Sequence, residues 1–446
     1  MAMIAMGSAL GTGLFLGSGD AIAVAGPAVI ISFAIGSAIA MTIALAMGEM
    51  ASRHPVQGGF GTLAARYLSP FWGYLVRWLY WIVTVGVTAA ELYACSLYLQ
   101  FWAPDLPQWA GVAILGAIVV AINVVSVKSF GTIEFWLSSI KVIAVVVFIL
   151  VGLCLVFFGL PGTPAAGVSN WTNDGGFMPF GFKGVWVSMA LVMFSFGGIE
   201  MLSISAAEAK DPARSIRTAA QSTAVRLSFF YVAAIGIIVA LVPWKEASGA
   251  AGDVRLSPFV MVFHELGIPA AAGLTNLIVV ITALSAANAN VYAGSRFLHS
   301  LAADSLAPRV LERTTTRGIP LPGIIVHACG ILGGLFPLIM STVIFSAVIV
   351  WTLILVTYIV YHRTRDGREL FRMPGGVVTA IAGIAGLLFV FSTVIAVERM
   401  QLAAMVGIPF VLLVTLAYVL VFRHRISVDA IDASFAEAEK ARADFS

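Results

Sequence analysis

Charged residues and turn signals divide the chain into twelve apolar segments, at roughly 1–19, 24–48, 72–102, 108–127, 134–158, 185–206, 223–243, 267–295, 322–340, 343–361, 377–397 and 401–422. Each comes near the ~20 residues that a helix needs to cross the hydrocarbon of a bilayer, so the pattern predicts twelve transmembrane helices joined by short loops. The fifth is the clearest, apolar or glycine without a break from Val142 to Phe158. The ninth and tenth are divided near Ser341 on length alone, because Ile324 to Tyr361 contains no Asp, Glu, Lys or Arg.

Composition agrees. Of 446 residues, 60% are hydrophobic and 11% charged, where a soluble domain carries about 25% charged residues. With a mean hydropathy of +1.00, there is too little polar side chain to cover a globule in water, so lipid covers most of the surface. No length remains for a soluble catalytic domain, and an enzyme is not expected. Cys95, Cys154 and Cys329 fall in apolar stretches without metal or redox spacing and read as packing residues rather than a disulfide framework. The first segment lacks the basic flank of a signal peptide and reads as a true helix. With the N-terminus inside, the outer loops take only Lys183, Lys245, Arg255 and Arg399 of the 25 cationic residues, and nearly all others, Arg77 included, fall on the inner side. The positive-inside rule then places both termini in the cytoplasm of a multi-pass protein of the cytoplasmic (inner) membrane. The end, 429–446, is mixed in charge and reads as a solvated tail.

Two segments are interrupted by small residues, the first at Gly7-Ser8-Ala9-Leu10-Gly11-Thr12-Gly13 and the sixth at Ser195-Phe196-Gly197-Gly198-Ile199-Glu200. They lie five helices apart, and because five is odd the second runs opposite to the first. Paired broken helices in inverted halves point to a transporter binding site at the bilayer midplane. Close helix packing is the favoured reading of small-xxx-small glycines taken by themselves; the coincidence of two breaks, with a glutamate beside the second, turns the balance to the site. Unwinding frees backbone N–H groups at the start of the outer half and carbonyls at the end of the inner half. N–H groups around Thr12 and Gly13 suit an anion, and the carbonyls of Ser8 and Ala9 suit an ammonium group, which together describe a zwitterion. Gly11 and Gly13 let a ligand approach the backbone, and the Thr12 hydroxyl adds a donor. Carbonyls near Ser195 and Gly197 complete the ammonium site, and Phe194 and Phe196 are candidate hydrophobic gates, packing being the plainer reading for either alone.

Ionisable residues inside a bilayer are costly, which singles out Lys141, Glu91 and Glu200. Lys141 either loads and releases a proton, its charged form being costly away from water, or tethers two helices as a fixed cation. Glu200 either bonds the N–H groups freed in its own helix or carries a proton. Glu91 either faces the ligand and reads its side-chain charge or bonds a neighbouring helix. Glu208, nearer the inner end, reads as solvated or as an inner gate. Neither a phosphate-binding glycine motif nor a metal cluster is visible, and no nucleic-acid partner is expected.

These residues carry a resemblance that extends over nearly the whole chain. Gly11-Thr12-Gly13-Leu14-Phe15, Gly48-Glu49-Met50 with Pro55-Val56-Gln57-Gly58-Gly59-Phe60, Glu134-Phe135-Trp136 leading to Lys141, Phe194 to Glu200, and Ser295-Arg296 are similar to bacterial amino acid permeases of the amino acid, polyamine and organocation superfamily. The resemblance implies an all-α membrane protein with a LeuT-like fold. In it, 1–158 and 185–361 are inverted repeats of five helices, helices 1 and 6 are broken, two further helices occupy 377–422, and 423–446 is a cytoplasmic tail. It also implies import of an amino acid with a proton, no other cofactor, and a monomer or weak oligomer in lipid. By resemblance, residues at Thr12 and Gly13 bind the substrate carboxylate, carbonyls at Ala9 and Gly197 bind the amine, Phe194 gates the site and Lys141 is the proton site. Two departures stand out: family members carry a charged segment before the first helix, whereas this sequence begins within it, which implies an incomplete inner gate; and Ser8 stands where many members have glycine, narrowing the pocket. The stretch Gly175 to Pro179 looks like 4-aminobutyrate permeases, and the third helix with Glu91 looks like permeases for aromatic and neutral amino acids. A neutral zwitterion is the expected substrate; an exchanger or an amino acid-sensing receptor are the competing readings.

Overall fold

A computed structural model describes residues 10–15, 17–56, 58–125, 127–159, 164–201, 212–249, 257–265, 269–332, 336–365, 371–398, 401–425 and 428–443. Among them every α or 3-10 element is helical and no strand occurs. In chain order the α-helices are α1 (Thr12–Phe15), α2 (Gly17–Ala25), α3 (Val29–Arg53), α4 (Gly59–Tyr67), α5 (Pro70–Leu99), α6 (Gln108–Val125), α7 (Val127–Phe157), α8 (Gly181–Ser195), α9 (Pro212–Leu241), α10 (Trp244–Gly249), α11 (Pro258–Glu265), α12 (Pro269–Ala303), α13 (Leu321–Leu332), α14 (Phe336–Thr364), α15 (Gly376–Ala396), α16 (Gln401–Ala417) and α17 (Val428–Ala443).

Among the described residues, 7 helical stretches are long and apolar enough to cross a membrane, accompanied by the shorter apolar helices Gln108–Val124, Gly181–Ser195, Ser228–Leu241 and Leu321–Ile331. The chain is a multi-pass membrane protein. Its centre and rim differ in burial: 78% of the most apolar window of α12 is inside the molecule, against 17% for the stretch Gln401–Phe422. α5 and α12 pack along each other at the centre, α3 packs on α9, and α2 lies along α8. Large apolar side chains such as Phe158, Val378 and Leu413 point outward, as a surface solvated by lipid allows.

Several boundaries differ from the sequence reading. The first segment continues as helix to Ala25, through an exposed Asp20, and turns at Gly26–Ala28. Gly26 sits at φ +63°, and a Cβ there would lie 2.5 Å from Pro179 Cγ, so both conformation and contact demand glycine. The turn expected near Ser341 is absent, because α14 runs through it. Pro337, at the second position of α14, suits a helix start, and Gly333-Gly334 precede it, signals that outrank length.

Three features lie outside the twelve-segment pattern. α4 is a short helix between the second and third spans. α10 and α11 fold over the loop after the seventh. The tail read as solvated forms α17 and buries Ile431, Phe435 and Ala438; their spacing of four and three residues aligns them on one helical face. Arg77, assigned to the inner charged face, is instead fully buried in α5, ion-paired with Asp304 at 2.6 Å. The three cysteines are free, with Cys95 buried and Cys154 and Cys329 exposed on the apolar surface.

Candidate functional site

The two interruptions meet. α8 ends at Ser195, and 196–200 is non-helical, with Gly198 at φ +98°. α1 begins at Thr12 after a bend at Leu10 and Gly11. A Cβ on Gly13 would lie 2.6 Å from Ser195 Cα, so the outer half of the first span crosses the break in the sixth with backbone against backbone. No larger side chain fits there without moving a helix. Ser8, Ala9 and Glu208 lie outside the described residues, and so does the side chain of Thr12.

Around the crossing the second break is anchored on three sides. Tyr231 on α9 donates a 2.6 Å hydrogen bond to the Ser195 carbonyl. This carbonyl, expected at the ammonium site, therefore has one acceptor position engaged and a second lone pair left. Glu200 Oε1 accepts from the Gly198 N–H (3.2 Å) and Oε2 from Trp351 Nε1 on α14 (3.3 Å), and the Tyr80 hydroxyl on α5 bonds the same carboxylate. A carboxylate held by donors from three places matches the anchoring alternative for Glu200. Neither Tyr231 nor Tyr80 was visible as a site residue from sequence, since a lone tyrosine in an apolar segment carries no periodic signal.

The two phenylalanines separate. Phe196 is buried between α3 and α9, edge-on to Tyr231 at 4.6 Å between ring centres and 6.3 Å from Phe33. Phe194 stays half-buried beside a small cavity of about 20 Å³ with Val83, Val87, Gly197, Ala347 and Trp351 on its walls.

A cluster of charge borders the first break. Glu91 is buried, and a Cβ on Gly11 would lie 2.5 Å from Glu91 Oε1, which places the carboxylate against the bend. Lys141 is fully buried in α7, within electrostatic reach of Glu134 and Glu91. Glu134 Oε1 accepts from Ser285 on α12 at 2.7 Å and from Ser138 at 3.2 Å. Sequence reading used Glu134 only as part of a motif. The seven-residue spacing from Lys141, two helical turns, was the signal that put both on one face. On the other side of the crossing, Ser257 donates to the Phe15 carbonyl (2.6 Å), and Phe259 of α11 packs on Phe15 (4.6 Å) and Phe148 (4.5 Å), so α11 covers the outer half of the first span. No group of three or more metal-ligating side chains occurs among the described residues.

The arrangement gathers the backbone of two interrupted helices, a half-buried aromatic and a buried lysine with two carboxylates. Comparison with known proteins agrees. Aromatic amino acid transport protein AroP of Escherichia coli (strain K12) is 41% identical over 374 residues, 82% of this chain and 80% of the relative. The protein of the same name from Salmonella typhimurium (strain LT2) is likewise 41% identical over 374 residues. The uncharacterized amino acid permease YtnA of Bacillus subtilis (strain 168) is 36% identical over 434 residues, 94% of this chain and 93% of the relative. The amino acid permease family matches residues 1–431, and the chain belongs to that family.

Proposed function

We propose that the chain imports a neutral amino acid, aromatic by preference, by proton symport across the cytoplasmic membrane, binding it where the two broken helices cross. The close passage of Gly13 over Ser195 carries the reading, because it gathers the polar groups of two helix ends at one point inside an apolar molecule. N–H groups at the start of α1, with the Thr12 hydroxyl, take the carboxylate; carbonyls of Ser8, Ala9 and Gly197 take the ammonium group. Phe194 closes over the side chain. Its apolar surroundings of Val83, Val87, Ala347 and Trp351 and the similarity to the aromatic amino acid transport proteins AroP support an aromatic substrate.

Lys141 is the proton carrier in this reading, and Glu200 the anchor of the second break. Alternating access is a rocking of the repeats 1–158 and 185–361 about the crossing, with 377–422 outside the moving core and both termini in the cytoplasm.

Uptake of radiolabelled phenylalanine, tyrosine, tryptophan, alanine and 4-aminobutyrate into proteoliposomes tests this, with and without an inward proton gradient. One or more aromatic substrates should accumulate only with the gradient, and Lys141→Ala should reduce that accumulation to the gradient-free level. Uptake that needs internal amino acid and ignores the gradient identifies an exchanger, and specific binding without any uptake identifies a sensor.

A further inference from the structure

A cavity of about 420 Å³ opens on the face that carries the chain's tail, away from the crossing of the broken helices. Its walls include Arg53 and His54 at the end of α3, Arg66 on α4, and Tyr361, Thr364 and Arg365 at the end of α14. Three guanidinium groups around one opening is an unusual concentration in a chain that is only 11% charged.

Each arginine meets a carboxylate, but the three carboxylates are not alike. Arg365 lies 3.6 Å from Glu49, which is fully buried and fixed by the Tyr358 hydroxyl and the Met373 N–H, both at 2.7 Å. Arg53 pairs with Glu439 at 3.3 Å, and Arg66 pairs with Asp432. Both of those acids belong to α17, and their side chains are 59% and 51% exposed. Half-exposed ion pairs are weakly held and screened by salt. Phe435 seats α17 further, its ring 5.1 Å from His54 and under the Arg66 guanidinium at 5.7 Å. Two of the three arginines are therefore balanced by half-exposed carboxylates of α17.

We propose that this cavity binds a phosphate-bearing anion, a phospholipid headgroup of the adjoining leaflet or a free phosphate ester, which takes Arg53 and Arg66 from the acids of α17. Arginine forks match phosphate oxygens in pairs, so one phosphate group can accept from both guanidinium groups in place of two separate carboxylates. The position fits as well: the ends of membrane-spanning helices lie at headgroup level, where basic pockets select anionic lipid. Seated, α17 holds the guanidinium groups of Arg53 and Arg66; displaced by the anion, it releases the ends of α3 and α4.

The test uses the full chain in nanodiscs of neutral phosphatidylcholine and in nanodiscs containing phosphatidylglycerol, with lipid retention read by native mass spectrometry and the seating of α17 by amide hydrogen exchange over 428–443. Phosphatidylglycerol should be retained and should speed exchange of those amides; Arg66→Gln should weaken retention by about fivefold, and Arg53→Gln with Arg66→Gln by more. Asp432→Asn with Glu439→Gln, which leaves the arginines in place, should raise retention and loosen α17 in either lipid. Glycerol phosphate added to neutral discs separates the sources: faster exchange there assigns a soluble anion, and an effect confined to phosphatidylglycerol assigns lipid. Equal retention in wild type and both arginine variants, with exchange unchanged by either anion, overturns the proposal.

Discussion

Two buried ionic clusters stand at different distances from the broken helices, and they are built differently. Arg77 and Asp304 form one cation and one anion, tied together at 2.6 Å between α5 and α12. Arg77 also donates to the Gly73 carbonyl at 3.0 Å and to the carbonyl and hydroxyl of Ser300 at 3.2 and 3.3 Å. Lys141, Glu91 and Glu134 form the other, one cation facing two carboxylates, spread over α5 and α7 and reaching Gly11 at the first break. The balanced pair joins α5 to the turn that follows α12. The second cluster, among the described residues, sets two acids against one base beside the bend at Leu10 and Gly11. An unbalanced charge in an apolar interior is costly, and ionisable residues held there are candidates for function. The difference separates a strut, a pair that ties two helices, from a cluster set against the first break, which holds the proton carrier proposed above, and charge count together with the element reached, rather than burial, distinguishes them.

The sharpest way to break the comparison is to remove half of the strut. Arg77→Met leaves Asp304 buried beside apolar atoms and should destabilise the protein by about 3–5 kcal/mol, read as a large loss of folded protein and a lowered melting temperature in detergent. Arg77→Met with Asp304→Leu should recover most of it. A single variant that melts like the wild type would show that the pair is no strut.

At the crossing, Gly11→Ala must push the Glu91 carboxylate aside, since its Cβ would lie 2.5 Å from Oε1. An overpacking penalty of about 1–3 kcal/mol should appear as weaker substrate affinity in uptake assays, with the melting temperature moving less than for Arg77→Met. The reverse pattern would make the Glu91 contact structural.

The mildest change is Ser285→Ala, which removes the 2.7 Å donor to Glu134. It should cost about 1 kcal/mol at that bond and lower gradient-driven uptake while leaving gradient-free exchange of substrate alone. Gradient-driven uptake equal to the wild type would take Glu134 out of the coupling cluster.

Much of this was legible before any coordinates. Both interruptions, Glu91, Lys141 and Glu200 stand out in sequence because a glycine run or an ionisable residue in an apolar segment breaks a strong background pattern. Glu134 was legible in principle, through its spacing from Lys141. Tyr80, Tyr231 and Trp351 were not. Each is an aromatic in an apolar helix, and the hydrogen bond that gives it a role is made to a residue more than thirty-five positions away, a distance that no local pattern encodes. The same holds for Phe196 against Phe194, two positions apart in one motif, one packed on Tyr231 and the other beside the cavity.

By itself the sequence determined the solvent, the helical class and the places where helices break, because in lipid every backbone polar group must be bonded within its own segment, and apolar length and glycine content report that directly. Tertiary structure alone decided which partners the freed groups find: Gly13 on Ser195, Tyr231 on the Ser195 carbonyl, Glu200 between α5 and α14, and α17 on the arginines of α3 and α4. These are contacts between distant segments, specified by how helices pack in three dimensions, and a polar side chain inside lipid carries no mark of the neighbour it meets until the packing brings them together.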